Sequence, residues 1–184
     1  MANKLDGNKI AFIVANEGVE QVELTSPWQA VEDAGGRPVL VATEAGDVQA
    51  FNHLDKAEVF EATIDTGRLN VDDYAGVVLP GGVANPDQLR TDPKAVGFLR
   101  SWAQVHKPVA AICHGPWTLV EADVINGKTL TSWPSLQTDI RNAGGTWRDE
   151  EVFRCEAGDF TLITSRKPDD LEAFNKAFVD VFGE

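Results

Sequence analysis

The chain has 184 residues, 43% hydrophobic and 24% charged, which fits one globular domain with a core of ordinary size and excludes a disordered or fibrous polymer. Its 16 Lys and Arg against 29 Asp and Glu give a formal charge of -13, a field that repels phosphate backbones and anionic membranes and so argues against nucleic-acid binding through charge or a membrane partner. No apolar run reaches the length of a membrane span and the first seven residues lack a signal-peptide stretch, so a cytoplasmic protein with two free thiols, Cys113 and Cys155, is expected.

Lys9 to Ala15 is a short apolar run with β-branched residues, the pattern of a strand buried on both faces of a parallel sheet. Ser26-Pro27-Trp28-Gln29 reads as a cap, a proline at the first helical position and a capping-box Gln, opening a helix there or slightly earlier that runs to Ala34. Gly35-Gly36 ends it and Arg37 to Thr43 gives a second strand, a βαβ unit with a right-handed crossover. Glu44 to Asn70 is the least regular stretch, with fragments that suggest short strands or a hairpin. Tyr74 to Leu79 is a third core strand, stopped by Pro80-Gly81-Gly82; Asp92-Pro93 opens a helix toward Val105, and Pro108 to Ile112 is a fourth strand. Helices follow at Pro116 to Ala122 and Ser135 to Ala143, with short strands at Thr129 to Thr131, Val152 to Cys155 and Phe160 to Thr164. Leu171, Phe174, Phe178 and Val181 mark an amphipathic final helix over Asp169 to Phe182. Strands alternating with helices predict a three-layer α/β sandwich around a doubly wound, mostly parallel sheet, in a single domain spanning residues 1–184.

Ligands of such sheets bind beyond the carboxyl ends of the strands, and three connections there carry chemistry. In Ala111-Ile112-Cys113-His114-Gly115-Pro116, Cys113 fits a nucleophile on a strand-to-helix elbow, with Gly115 as the small neighbour such a turn needs. Amides at the start of the following helix would lower its thiol pKa. A buried structural cysteine fits the same run equally well. Gly81-Gly82 reads as a turn needing positive φ or, beside the elbow, as backbone amides for an oxyanion. Glu17, Glu20 and Glu23 read as a solvated face, unless one packs against the sulfur, where desolvation would favour a protonated carboxyl able to donate to it. His53 and His106 read as polar surface, while His114 is placed for chemistry if its ring can turn back to its neighbour. No metal-ligand spacing and no glycine-rich phosphate fingerprint is present, so no cofactor is expected.

Val78-Leu79-Pro80-Gly81-Gly82 and Pro108 through Pro116, together with the Ala15 to Leu24 and Leu162 to Leu171 segments, resemble the ThiJ/PfpI superfamily and its PfpI branch over nearly the whole chain. The resemblance implies a flavodoxin-like fold, a homodimer or larger assembly and Cys113 as nucleophile. It also implies Glu23 as the carboxyl contacting the cysteine, Glu20 as a second acidic position, and an oxyanion site at Gly82 with the amide of His114. Peptidase-like members complete a Cys-His-Glu triad with a glutamate from a neighbouring subunit, a position that falls here on Pro86-Asp87, where aspartate is one methylene shorter. Glutamine amidotransferase relatives take His and Glu from a C-terminal run, and this chain has no histidine after His114. The function so implied is a stress-response cysteine hydrolase acting on small carbonyl compounds, glycated proteins or peptides. Two alternatives stand beside it: a redox sensor in which Cys113 is oxidised without turnover, and a flavodoxin-like binding domain with an incidental thiol.

Overall fold

The structure is a computed structural model and describes residues 3–184. In chain order it contains β1 (Lys9–Val14), β2 (Glu17–Glu20), α1 (Gln21–Asp33), β3 (Arg37–Ala42), β4 (Gly46–Asn52), β5 (Asp55–Ala62), β6 (Ile64–Asp65) and β7 (Gly76–Leu79). The second half contains α2 (Ala84–Leu89), α3 (Pro93–Gln104), β8 (Val109–Ile112), α4 (Pro116–Glu121), β9 (Thr129–Leu130), α5 (Gln137–Asn142), β10 (Thr146–Trp147), β11 (Val152–Cys155), β12 (Leu162–Ser165) and α6 (Leu171–Phe182). Seven strands form the central sheet in the order β11-β12-β8-β7-β1-β3-β6. All are parallel except the edge strand β11, which runs antiparallel to β12.

The period-2 geometry of the strands divides the core into two faces. Ala11 and Ile13 of β1, Val77 and Leu79 of β7, and Val109 and Ala111 of β8 pack with α3, α4 and α5. Ile10, Phe12 and Val14, with Val78, Ala110 and Ile112, pack under α1 and α6. Both faces are covered, so the strands read as continuous apolar runs, and the expected three-layer sandwich is the observed one. Trp102 fills the first face: it is fully buried, lies 5.4 Å from the Phe98 ring, and donates through Nε1 to the Pro108 carbonyl at 3.2 Å.

Three features depart from the sequence reading. The first long helix begins at Gln21, and Pro27 lies inside it, where it forfeits the bond its nitrogen would give to the Glu23 carbonyl. Ser26 therefore does not cap; its hydroxyl accepts a bond from Asn175 of α6 at 2.8 Å. The segment Glu17–Glu20, part of the first βα connection, is itself a strand that pairs with β4; the stretch after Thr43 is the hairpin its fragments suggested, so β2, β4 and β5 make a second sheet beside the site. The third is α2, a six-residue helix after the Gly-Gly turn.

Trp102→Ala is expected to cost about 3–5 kcal/mol, seen as a lower urea midpoint with an unchanged slope.

Candidate active site

β7 and β8 are neighbours, with Leu79 opposite Ala111, so the Pro80-Gly81-Gly82 turn and the Cys113 elbow emerge side by side. Cys113 has φ of 60°, a left-handed conformation that costs a side-chain-bearing residue about 1–3 kcal/mol and is held only when its surroundings fix it. They do: its N–H donates to Ser165 at 3.0 Å and its carbonyl accepts from Trp133 at 2.9 Å. A Cβ at Gly115 would stand 2.4 Å from the Leu79 oxygen, so the elbow admits only glycine there. The chain then enters α4 at Pro116, a residue suited to a first helical turn.

Glu23, in the first turn of α1, is fully buried and points across the sheet end. Its Oε2 accepts the Gly81 N–H at 2.8 Å, and its carboxyl lies against the Cys113 sulfur. Its Oε1 is buried with no hydrogen-bond partner. The N–H groups of Gly82 and His114 are directed at the sulfur. Gly82 has φ of 84°, and a Cβ on it would meet the Gly18 oxygen at 2.1 Å. Of the three oxyanion candidates, Gly82 and His114 thus aim at the reacting atom. Gly81 does not, because its N–H is committed to Glu23.

His114 does turn back on its neighbour: Nδ1 is 3.2 Å from Sγ, and Nε2 is 3.4 Å from the Ser135 hydroxyl. Trp133 stacks on the imidazole at 5.8 Å, and Trp117 flanks it at 5.5 Å while donating its indole N–H to Asp139 at 2.8 Å. Burial drives the His114 pKa down to about 4, so the ring is neutral near pH 7.

Burial also raises the Glu23 carboxyl to about 8, with the Gly81 amide opposing and the charge of Glu20 reinforcing the shift. The Cys113 thiol is pushed up, first by burial and then by Glu23, while the Gly82 and His114 amides pull the other way. The expected lowering by the helix start is thus outweighed in the fully charged state. Two acids in contact share their protons: burial already opposes loss of the first, and the charge left behind opposes loss of the second.

The site opens into a cavity of about 180 Å³ lined by Glu20, His53, Leu54 and Val83 as well as the groups above. Glu20, nearly buried, accepts the backbone N–H of His53 at 3.0 Å. His53, expected as plain surface, belongs to this mouth. Glu17 is exposed, and its carboxylate lies 3.8 Å from Lys56. Asp87 stands on the exposed face of α2, in a different groove with Arg90, Arg100 and Glu121, and within the chain it does not face His114. Cys155 is buried and its sulfur accepts the Thr129 N–H at 3.3 Å, a structural environment. Among the described residues no group of three or more His, Cys, Asp or Glu could hold a metal ion.

Several residues of the site were not singled out from sequence, and two of them, Asn85 and Trp133, hold its backbone in place. Asn85 is fully buried; its Oδ1 accepts from Ala15 at 2.7 Å and its Nδ2 donates to Pro80 at 3.0 Å and Gly81 at 3.1 Å. It ties the glycine turn to the end of β1. An asparagine just after a Gly-Gly turn was the available signal. Trp133, which both stacks on His114 and fixes the Cys113 carbonyl, gave none, since it lies twenty residues from the elbow.

The chain matches the DJ-1/PfpI family over residues 8–181. It is 38% identical over 168 residues to "Putative cysteine protease YraA" of Bacillus subtilis, covering 91% of this chain and 94% of that one. It is 36% identical over 175 residues to "Protein/nucleic acid deglycase 2" of Escherichia coli, covering 95% and 98%. Among solved structures, a two-domain protein from Anabaena variabilis with DJ-1/ThiJ/PfpI-like and ferritin-like domains superimposes with a TM-score of 0.87 at 30% identity, over 96% of this chain and 48% of that one.

The raised Glu23 pKa carries a stability consequence. Unfolded, Glu23 loses its proton near 4.5; folded, it keeps it to about 8. Folding therefore takes up a proton in that window, and this group's contribution to stability falls as pH rises through it. Glu23→Gln is expected to match wild type near pH 4.5 and to exceed it by on the order of several kcal/mol above pH 8, measured by urea unfolding across pH.

Proposed function

The chain belongs to the DJ-1/PfpI family, and from that premise we propose that it is a cysteine hydrolase whose Cys113 thiolate attacks carbonyl carbon, acting on glyoxal-derived adducts of proteins or on peptide bonds. The observation that carries this reading is the buried, unpartnered Oε1 of Glu23 beside the sulfur. A carboxyl kept protonated next to a nucleophile is a proton donor waiting for a leaving group. The names of the relatives, one a cysteine protease and one a deglycase, support the same chemistry.

The pair first gives one proton to solvent, leaving thiolate and neutral Glu23. Sulfur adds to the carbonyl carbon; the C–S bond forms and the π pair moves to oxygen, facing the Gly82 and His114 N–H groups. On a peptide bond, where nitrogen is attached to the attacked carbon, the C–N bond breaks as the tetrahedral adduct collapses and Glu23 supplies the proton that the departing amine needs. Water then attacks the thioester, giving its proton to the Glu23 carboxylate, and breaking of the C–S bond restores the thiolate. His114, neutral and held between two indoles, orients the sulfur and contributes its backbone amide. On this reading the protein works in the cytoplasm as a homo-oligomer, and Asp87 of the partner subunit completes the triad through His114, with a shorter reach than glutamate.

Incubation with methylglyoxal-modified peptides and with unfolded casein tests the reading. Turnover of at least one substrate is expected, abolished by Cys113→Ser. Glu23→Gln, which keeps a donor to the sulfur but cannot release a proton, should retain Cys113 alkylation by iodoacetamide while kcat falls about 100-fold or more. Absence of turnover with both substrates refutes the hydrolase. If peroxide then adds mass at Cys113, and Glu23→Gln weakens that response, the redox sensor replaces it.

A further inference from the structure

Six large hydrophobic side chains are exposed among the described residues, and three of them, Leu54, Val83 and Trp133, stand around the mouth above Cys113. Leu54 is 93% exposed at the turn between β4 and β5, where a lone leucine would ordinarily count as noise. This one is held in place. Its neighbour His53 has φ of 59°, and the carboxylate of the nearly buried Glu20 accepts the His53 N–H at 3.0 Å, pinning the hairpin tip over the cavity. No Lys or Arg lines the mouth, while Glu20 and Glu23 do.

From this juxtaposition we infer that the mouth selects uncharged electrophilic carbonyl compounds bearing an apolar, preferably aromatic, substituent, and turns away carbonyl compounds that carry a carboxylate. Resting on the hydrolase reading, the inference goes further by naming which substituent the site accepts. The apolar group lies between Leu54 and the Trp133 face, leaving water as it enters. Its carbonyl carbon then meets the sulfur. An anionic substituent would face the nearly buried Glu20 carboxylate with no Lys or Arg to compensate, the one other polar rim group, His53, lying against Glu20 itself at 4.0 Å.

The test uses three α-bromoketones that differ only in the substituent: bromoacetone with methyl, phenacyl bromide with phenyl and bromopyruvate with carboxylate. Each alkylates the thiolate by the same step, in which the C–S bond forms as the C–Br bond breaks and bromide leaves with its electron pair. Rates at Cys113 are read by peptide mapping and divided by the rate of the same reagent with glutathione, which removes intrinsic reactivity. The normalised order expected is phenacyl bromide, then bromoacetone, then bromopyruvate, with about 10-fold or more between first and last. Leu54→Lys should compress that span by raising bromopyruvate and lowering phenacyl bromide. Val105→Lys, the same charge change on an exposed apolar residue outside the mouth, should leave the order intact. Normalised rates that are equal for the three reagents, or a span that Leu54→Lys does not compress, overturn the inference. Because alkylation needs no turnover, the outcome is independent of the hydrolysis assay, and the selectivity and the hydrolase can fail separately.

Discussion

Glu23 Oε2 and the Cβ of Cys113 lie 2.4 Å and 2.6 Å from where a side chain at position 81 would begin, and this missing side chain sets the rest of the site. Any larger residue would wedge the carboxyl from the sulfur and displace the turn on which Gly82 sits. Gly115 performs the matching service on the other side of the elbow, clearing the end of β7. The constraint is one of backbone approach, since two neighbouring parallel strands must end close enough for their loops to share a nucleophile and its proton donor. Asn85 makes the arrangement rigid by answering the two carbonyls of the turn and the N–H at the end of β1 with one buried amide.

That closeness decides the electrostatics. A thiol and a carboxyl buried in contact, with a second carboxylate behind them, cannot both be charged. The fold answers with backbone dipoles instead of cations: the Gly81 N–H holds one carboxyl oxygen, and two more N–H groups face the sulfur. Backbone donors need no reorganisation when charge develops, which is the condition under which an oxyanion site is effective. The cost appears as a buried carboxyl that resists ionisation, and so as a stability that depends on pH.

The second sheet gives the site its mouth. β2 leads directly into α1, so pairing of β2 with β4 fixes the hairpin against the same segment that delivers Glu20 and Glu23. The acids and the apolar tip of the hairpin are thereby parts of one assembly. An approaching molecule meets Leu54, Val83 and Trp133 before it meets the sulfur.

The sequence by itself determined the layers of the sandwich, because strands such as Lys9–Val14 and Val109–Ile112 are apolar on both faces and α3 and α6 are periodic. It also pointed to the elbow, since Gly115 and Pro116 after an apolar strand suit a sharp strand-to-helix turn, while leaving a nucleophilic and a structural Cys113 equally open. It misread Ser26 as a cap, because Ser26-Pro27 has the chemistry of one, while tertiary packing of Glu23, Leu24 and Pro27 carries a helix that starts earlier straight through it. Residue patterning left the three glutamates alike and the family resemblance pointed to Glu23; only the tertiary structure decided that Gly81 serves Glu23 and not the oxyanion, and that His53, Leu54 and Trp133 share one cavity with Cys113. The physical reason is the same in each case. Periodicity and turn chemistry are local, readable within a few residues, whereas hydrogen-bond partnership, burial and the pKa shifts that follow depend on segments distant in sequence meeting at the ends of neighbouring strands.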